Sequence, residues 1–276
     1  INLWIHEPHT PFHVLPKYRW WFRDSKLEET DEIYAAVLAH ADDRIGQVLD
    51  ALDRLKIAEN TLVIFSSDNG PARARPGTPL ELSYDTATGA GYGIAAARGI
   101  TAGRKGYKAS LYEGGINVPF IARWPGKIAA GKVDKRLMIS AVDLLPTFCE
   151  IAGATLPDGY KPDGVSQLKA LQGEVADGRG KPLFWKMSGR GRPGTDSFHW
   201  VAYCVVDQNW KLLTSEDGTH VELYDLVADP FEKDDVKDSH ATVVAQLKQK
   251  LADWKATLPT KPDSKNFSSL RKADAP

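Results

Sequence analysis

The sequence predicts an α/β fold, a mixed and largely parallel sheet flanked by helices, followed by a smaller C-terminal α+β subdomain of antiparallel sheet plus helix. Three observations carry that reading. Residues 31–56 set Ile33, Val37, Ile45, Val48, Leu52 and Leu55 at helical spacing. This pattern feeds the apolar stretch TLVIFSS, an α-to-β step of the kind that builds a parallel sheet. From about residue 182 the short runs LFWKM, WVAYCVV, WKLLT and VELYDL are separated by Gly and Asp turns, which suits an antiparallel sheet. The expected division is 1–181 for the large domain and 182–276 for the subdomain.

In chain order, INLWIH alternates apolar and polar residues like a half-buried strand. It begins without Met, charged leader or cap, so the expectation is a truncated or processed chain whose domain has a further N-terminal part. EPHTPFHVLPKYRWWF, with three prolines, reads as a loop and carries His6, His9 and His13. Thr30 or Asp31 is the expected N-cap of the helix that follows. Residues 70–106 shift to Gly, Ala, Pro, Thr and Arg with no apolar period, a loop long enough to be functional or mobile. SLYEGG leads into INVPFIARWPG, a second buried strand ended by Pro125 and Gly126. SAVDLLPTFCEIAGA reads as a helix stopping at Gly153. Val244, Leu247, Leu251 and Trp254 mark a terminal amphipathic helix, with a polar tail from about Pro259.

Composition narrows the classes of function. The 276 residues include 35 Lys plus Arg and 36 Asp plus Glu, a formal net charge of −1. That balance argues against a nucleic-acid or anionic-membrane partner bound through bulk charge. No apolar run approaches the roughly 20 residues of a membrane helix. Cys149 and Cys204 have no metal or redox spacing and read as small buried residues, with a pairing between them left open.

Three stretches carry chemistry. Asp68 and Asn69 stand where TLVIFSS runs out, the end of a strand where α/β sheets collect ligands. Two oxygen donors there suit calcium or magnesium, while Asp-Asn-Gly is also ordinary turn chemistry. In PHTPFH, Pro8 and Pro11 flank His9 and cut its local freedom, which suits an imidazole serving as donor to an anion or as acid/base. GRKGYKASLYEGG places cations among glycines, where Lys108 can meet a sulfate or phosphate oxygen and Gly-Gly permits close backbone approach. A solvated basic loop is the plain alternative, and no P-loop is present.

In this order the three stretches resemble the sulfatase family of the alkaline-phosphatase-like superfamily. PHTPFHV is similar to the family's histidine loop, SSDNG to its second metal-ligand motif, and GYKASLYEGGINVPFIARWPG to its lysine-plus-strand motif. SAVDLLPTFCEIAGA, DGVSQLKALQG, NWKLL and ELYDLVADPFEKDDV fall where sulfatases carry similar segments. The resemblance implies an alkaline-phosphatase-like fold and hydrolysis of an aryl or carbohydrate sulfate ester. It implies a divalent metal, calcium with magnesium as the alternative, held in part by Asp68 and Asn69. Lys108 would contact the sulfate, His9 would act on the sulfate or leaving-group oxygen, and His6 would line the pocket.

The family's nucleophile is a formylglycine made from a C/S-x-P-x-R motif, and an N-terminal Asp-Asp pair completes its metal site. Neither is in this chain. Cys149 and Cys204 have the wrong neighbours, and Asp42-Asp43 lies inside the predicted helix. Both parts are therefore expected on a segment outside it, and the chain alone is expected to be inactive. SGRGRPGTDSFHW offers Arg190, Arg192 and His199 to an anionic polysaccharide or to solvent. Trp20 and Trp21 suit a sugar ring or the core. The alternatives are a phosphonate or phosphodiester hydrolase of the same superfamily and a non-catalytic homologue that binds sulfated glycans. A periplasmic or secreted location is the family expectation.

Overall fold

The computed structural model describes residues 1–73, 82–85, 89–93, 97–135, 137–174, 179–187 and 198–259. INLWIH forms no strand. It is exposed along its length, with Trp4 90% exposed, because no described strand lies beside it to complete a ladder. The loop expected across 7–22 is interrupted by helix α1 (Pro16–Trp21), whose first residue is a proline, with φ already suited to a helix and no N–H to leave unpaired.

Helix α2 (Glu29–Arg54) starts slightly before the predicted boundary. Glu28 takes the N-cap position without a side-chain cap, so Thr30 and Asp31 lie in the first turn instead. α1 docks on α2 through polar contacts: the Tyr18 hydroxyl donates to Asp43 at 2.6 Å, and Arg19 donates to Glu32 at 2.7 Å. Asp42, next to that contact, is exposed. Ile33, Ala36 and Val37 are buried, whereas Val48 and Leu55 further along the predicted stripe are exposed.

Strand β1 (Val63–Ser66) ends just before Asp68. Within the expected loop lies a hairpin of β2 (Leu82–Asp85) and β3 (Gly89–Tyr92). Phe12 adds a bridge to β3, its N–H donating to the Tyr92 carbonyl at 2.8 Å and its carbonyl accepting the Tyr92 N–H at 3.0 Å. A single helical turn, α3 (Glu113–Ile116), precedes β4 (Phe120–Arg123). β4 runs antiparallel to β1, pairing Ser66 with Phe120 and Val63 with Arg123. The mixed α/β class holds, but among the described residues this pair replaces the expected parallel step. One face is also less covered than expected, since its cross-strand pair Phe65 and Ile121 is 42% and 59% exposed.

A capping box between Ser140 and Asp143 closes a 3-10 turn (Ala141–Asp143) that runs into helix α4 (Leu144–Ala152), which stops at Gly153 in the left-handed region, as the sequence indicated. A short helix α5 (Leu168–Leu171) follows. The C-terminal sheet is antiparallel in the order β5 (Leu183–Lys186), β6 (Tyr203–Asp207), β7 (Trp210–Thr214) and β8 (Val221–Asp225), with helix α6 (Ala241–Thr257) laid across one face. Period-two alternation decides what each side covers. Val205, Leu212 and Leu223 face Leu247 and Leu251 of α6. Cys204, Val206, Leu213 and Tyr224 face the opposite way, against Leu111 and Tyr112. The predicted helix residue Trp254 stacks on Phe184 with ring centroids 5.0 Å apart. The tail from 260 onward lies outside the described residues.

Both cysteines are free, so the pairing left open by the sequence is not formed. Cys204 is wholly buried, and burial pushes its thiol up to about 12. In the native protein at pH 8, a thiol reagent is expected to reach Cys204 only after denaturant is added. Reaction of Cys204 without denaturant would contradict the two-faced burial of this sheet.

Candidate active site

The end of β1 is held by short local bonds. The Ser66 hydroxyl donates to the Pro119 carbonyl at 3.0 Å, and the Ser67 hydroxyl donates to the Asn69 carbonyl at 3.0 Å. The Asn69 Nδ2 donates to the Gly70 carbonyl at 3.0 Å, which leaves Oδ1 as the side chain's acceptor atom. Asp68 is exposed, and no described residue hydrogen-bonds or ion-pairs with its carboxylate.

Gly70 explains the motif's last letter. A Cβ there would stand 1.9 Å from the Gly114 carbonyl oxygen, so only glycine allows this approach. The Gly70 N–H donates to the Gly115 carbonyl at 2.8 Å, and the Lys108 N–H donates to the Pro71 carbonyl at 2.8 Å. These two bonds bring the Asp68–Asn69 edge and the Lys108 loop together. Gly114 and Gly115 are tight in turn, since added Cβ atoms would lie 2.3 Å from the Gly106 oxygen and 2.2 Å from the Ser110 oxygen.

Behind this turn is a buried charged cluster. Lys211 of β7 is wholly buried, with its ammonium 2.7 Å from Glu113 Oε1 and 2.9 Å from Glu232 Oε1. The second oxygen of Glu232 accepts the Glu113 N–H at 2.7 Å, and that of Glu113 accepts Asn117 Nδ2 at 2.7 Å. Burial works to raise the Glu113 carboxyl, but the Lys211 charge and hydrogen bonds outweigh it and hold the group below its ordinary range. At Glu232 burial prevails and the carboxyl is raised. Burial would lower Lys211, yet the two carboxylates raise it. Sequence reading missed this cluster. Its signal was a lysine in NWKLL, in a strand otherwise read as apolar.

The histidine loop reaches the same neighbourhood through its backbone and Phe12. The Phe12 side chain packs with Ile33, Val37 and Ala97, and Ala72, two residues past Gly70, joins that cluster. His9 is exposed, and its Nδ1 lies 2.6 Å from the Thr10 carbonyl. An Nδ1–H donated there leaves Nε2 as the atom for proton transfer. The His6 ring sits 5.8 Å from His9 and 6.4 Å from His13. Among the described residues no hydrogen bond or ion pair joins His9 to Lys108 or Asp68, so the backbone unites Asp68, Asn69 and the Lys108 loop while His9 stands on a separate loop.

His199 touches this region, its Nδ1 2.6 Å from the Ala109 carbonyl and its ring edge-on to Tyr107 at 5.6 Å. Arg190 and Arg192 lie outside the described residues. Trp20 and Trp21 are exposed rather than core, and the Arg23 guanidinium stands 3.6 Å over the Trp20 ring. An open hollow of about 300 Å³ beside the Lys108 loop is lined by Pro71, Arg73, Gly99, Gly103 and Tyr107 among others.

The donor set bears on a metal. Asp68 and the oriented Asn69 Oδ1 are hard oxygen donors that fit a calcium-type shell. Among the described residues no group of three or more His, Cys, Asp or Glu side chains is close enough to hold an ion. Asp68 and Asn69 by themselves thus offer two side-chain oxygen donors.

Comparison with known proteins gives the family and the fold. A family model described as Sulfatase matches residues 1–154, and one described as N-sulphoglucosamine sulphohydrolase, C-terminal, matches residues 105–257. An N-acetylgalactosamine-6-O-sulfatase of Bacteroides thetaiotaomicron is 28% identical over 233 residues, which are 79% of this chain and 41% of that protein. The crystal structure of Ps i-CgsB in complex with k-i-k-neocarrahexaose superposes with a TM-score of 0.69 at 24% identity, covering 90% of this chain and 48% of that one. A phosphonate monoester hydrolase of Agrobacterium radiobacter shares the fold at a TM-score of 0.52 and 23% identity, covering 82% and 41%. The chain thus spans less than half the length of these relatives.

Replacing Gly70 by alanine is expected to lower unfolding stability by about 3 kcal/mol in a urea titration, since backbone must move to admit the Cβ. Gly46→Ala, where nothing lies within 4 Å of the added carbon, is the matched control. It should be neutral or stabilising by up to about 1 kcal/mol on helix α2. Equal effects would remove the close approach as the reason for Gly70.

Proposed function

The chain belongs to the sulfatase family, and on that premise we propose that it carries the metal edge and sulfate-binding lysine of a sulfuric ester hydrolase. The carrying observation is the pair of backbone hydrogen bonds that joins the SSDNG strand end to the Lys108 loop and the Gly-Gly turn. In this reading Asp68 and Asn69 hold one side of a divalent ion, calcium with magnesium as the alternative. The nucleophile, a formylglycine, and the remaining ligands lie on a segment outside this chain.

A sulfate ester carries one negative charge, which spreads onto the sulfate and leaving oxygens as the S–O bond breaks. The ion, when bound, supplies positive charge to the sulfate oxygens. The Lys108 ammonium adds a second, compact positive charge beside it. His9, protonated, delivers its Nε2 proton to the departing alcohol oxygen, so that the S–O bond breaks to a neutral alcohol. The tether from Nδ1 to the Thr10 carbonyl keeps the ring aimed while this happens.

The substrate side is read from the hollow beside Lys108. Tyr107 and Arg73 line it, the Arg73 guanidinium 5.5 Å from the Tyr107 ring centroid, and His199 stands edge-on to the same ring. Such a wall suits a sulfated carbohydrate better than a small aryl sulfate, with His6 and the segment holding Arg190 and Arg192 as further contacts. The name of the N-acetylgalactosamine-6-O-sulfatase relative supports the same choice. No helix of the described residues is long and apolar enough to cross a membrane, and a periplasmic or secreted location is proposed from the family.

The test is the full-length protein that contains this chain, assayed on paired nitrophenyl sulfate and nitrophenyl phosphonate esters and on sulfated oligosaccharides. Sulfate turnover should dominate and be lost to a chelator. Lys108→Ala is expected to lower kcat/KM about 10²–10³-fold. His9→Ala should lower kcat about 10²–10⁴-fold, more for a sugar alcohol than for nitrophenol, whose anion leaves without a proton. Faster phosphonate turnover would favour the phosphonate hydrolase. Glycan binding without turnover would favour the non-catalytic homologue.

A further inference from the structure

We propose that Lys211 and Glu232, far along the chain in the C-terminal sheet and the loop after it, are positioning residues for the Asp68–Asn69 metal edge. This rests on the sulfatase reading of that edge. The side of β7 on which Lys211 sits follows from strand alternation, since it shares a face with Leu213, which packs toward Leu111 and Tyr112. A methionine would fill the same space without a buried charge. What the charge adds is a fixed Glu113, gripped by its carboxylate through Lys211 and by its backbone N–H through Glu232.

Glu113 opens the turn whose Gly115 carbonyl receives the Gly70 N–H, and Gly70 follows Asn69 directly. The same turn lies hard against the Lys108 loop, as the Ser110 and Tyr107 oxygens stand 2.2 and 2.7 Å from a Cβ on Gly115. A shift of Glu113 therefore moves Asn69 and the Lys108 loop together. β8 adds a second grip on this segment, with Lys105 Nζ donating to the Tyr224 hydroxyl at 2.8 Å and the Tyr112 hydroxyl donating to Glu222 at 2.6 Å. The C-terminal sheet thus acts as a clamp on the site, and the ion triad is its tightest jaw.

The experiment measures calcium affinity of the full-length protein by titration calorimetry for wild type, Lys211→Met, Glu113→Gln and Leu223→Ala. Leu223 is wholly buried on the opposite face of the sheet and supplies a loss of stability without touching the triad. The dissociation constant is expected to rise tenfold or more in Lys211→Met and Glu113→Gln. It should stay within twofold in Leu223→Ala, although the unfolding midpoint falls. If Lys211→Met does not fold, the near-isosteric Glu113→Gln decides. Calcium binding within twofold of wild type in Glu113→Gln, or an equal loss in Leu223→Ala, overturns the positioning role. A wild type that binds neither calcium nor magnesium would instead fail the metal-edge reading of Asp68 and Asn69 itself.

Discussion

Burial of the Lys211 ammonium between two carboxylates is the constraint on which the site depends. Taking such charges out of water is costly, and removing one partner of a buried pair costs about 3–5 kcal/mol. The cost is offset because three of the four carboxylate oxygens accept a hydrogen bond, Glu113 from Lys211 and Asn117 and Glu232 from the Glu113 N–H, while the fourth, Glu232 Oε1, lies at ion-pair distance from Lys211 without a hydrogen bond. A cluster satisfied to this degree tolerates little displacement, because each group that moves leaves another unpaired in a low-dielectric interior. That rigidity reaches the surface through α3 and ends at Gly70.

Glycine transmits the rigidity. Along 106–115 and at Gly70 the backbones approach so closely that carbonyl oxygens occupy the space side chains would need. Packing of this kind converts an ion cluster in one sheet into a fixed strand end in another without any side chain bridging the two. The exposed Asp68 carboxylate and the oriented Asn69 oxygen are then set by backbone, leaving their donor atoms to a ligand. His9 is placed differently, on a loop held through Phe12 and its bridge to Tyr92. The two halves of the chemistry are thus anchored to separate cores, which suits a site assembled from several segments.

Where the local pattern was strong, the sequence was legible. The C-terminal meander, the two long helices and the Gly153 stop follow from alternation, helical spacing and a glycine in the left-handed region. The differences share one physical cause, which is that a strand's state depends on neighbours rather than on its own letters. INLWIH alternates correctly yet has no described partner and lies exposed. β1 is apolar yet half uncovered, and its described neighbour runs antiparallel. α1 escaped notice because Pro16 was read as a breaker, when at the first position of a helix it is an initiator.

By itself the sequence determined the chemistry on offer: oxygen donors at a strand end, a proline-flanked histidine, a lysine among glycines, and a family order that ties them together. Only the tertiary structure decided what holds them. Lys211 finds Glu113 across 98 residues, and Glu113 finds Glu232 across 119. Periodicity and turn chemistry act within a few residues, so they reveal elements and donor types. A buried ion pair or a backbone contact below van der Waals reach of a side chain exists only once distant segments are packed, and no local pattern announces its partner.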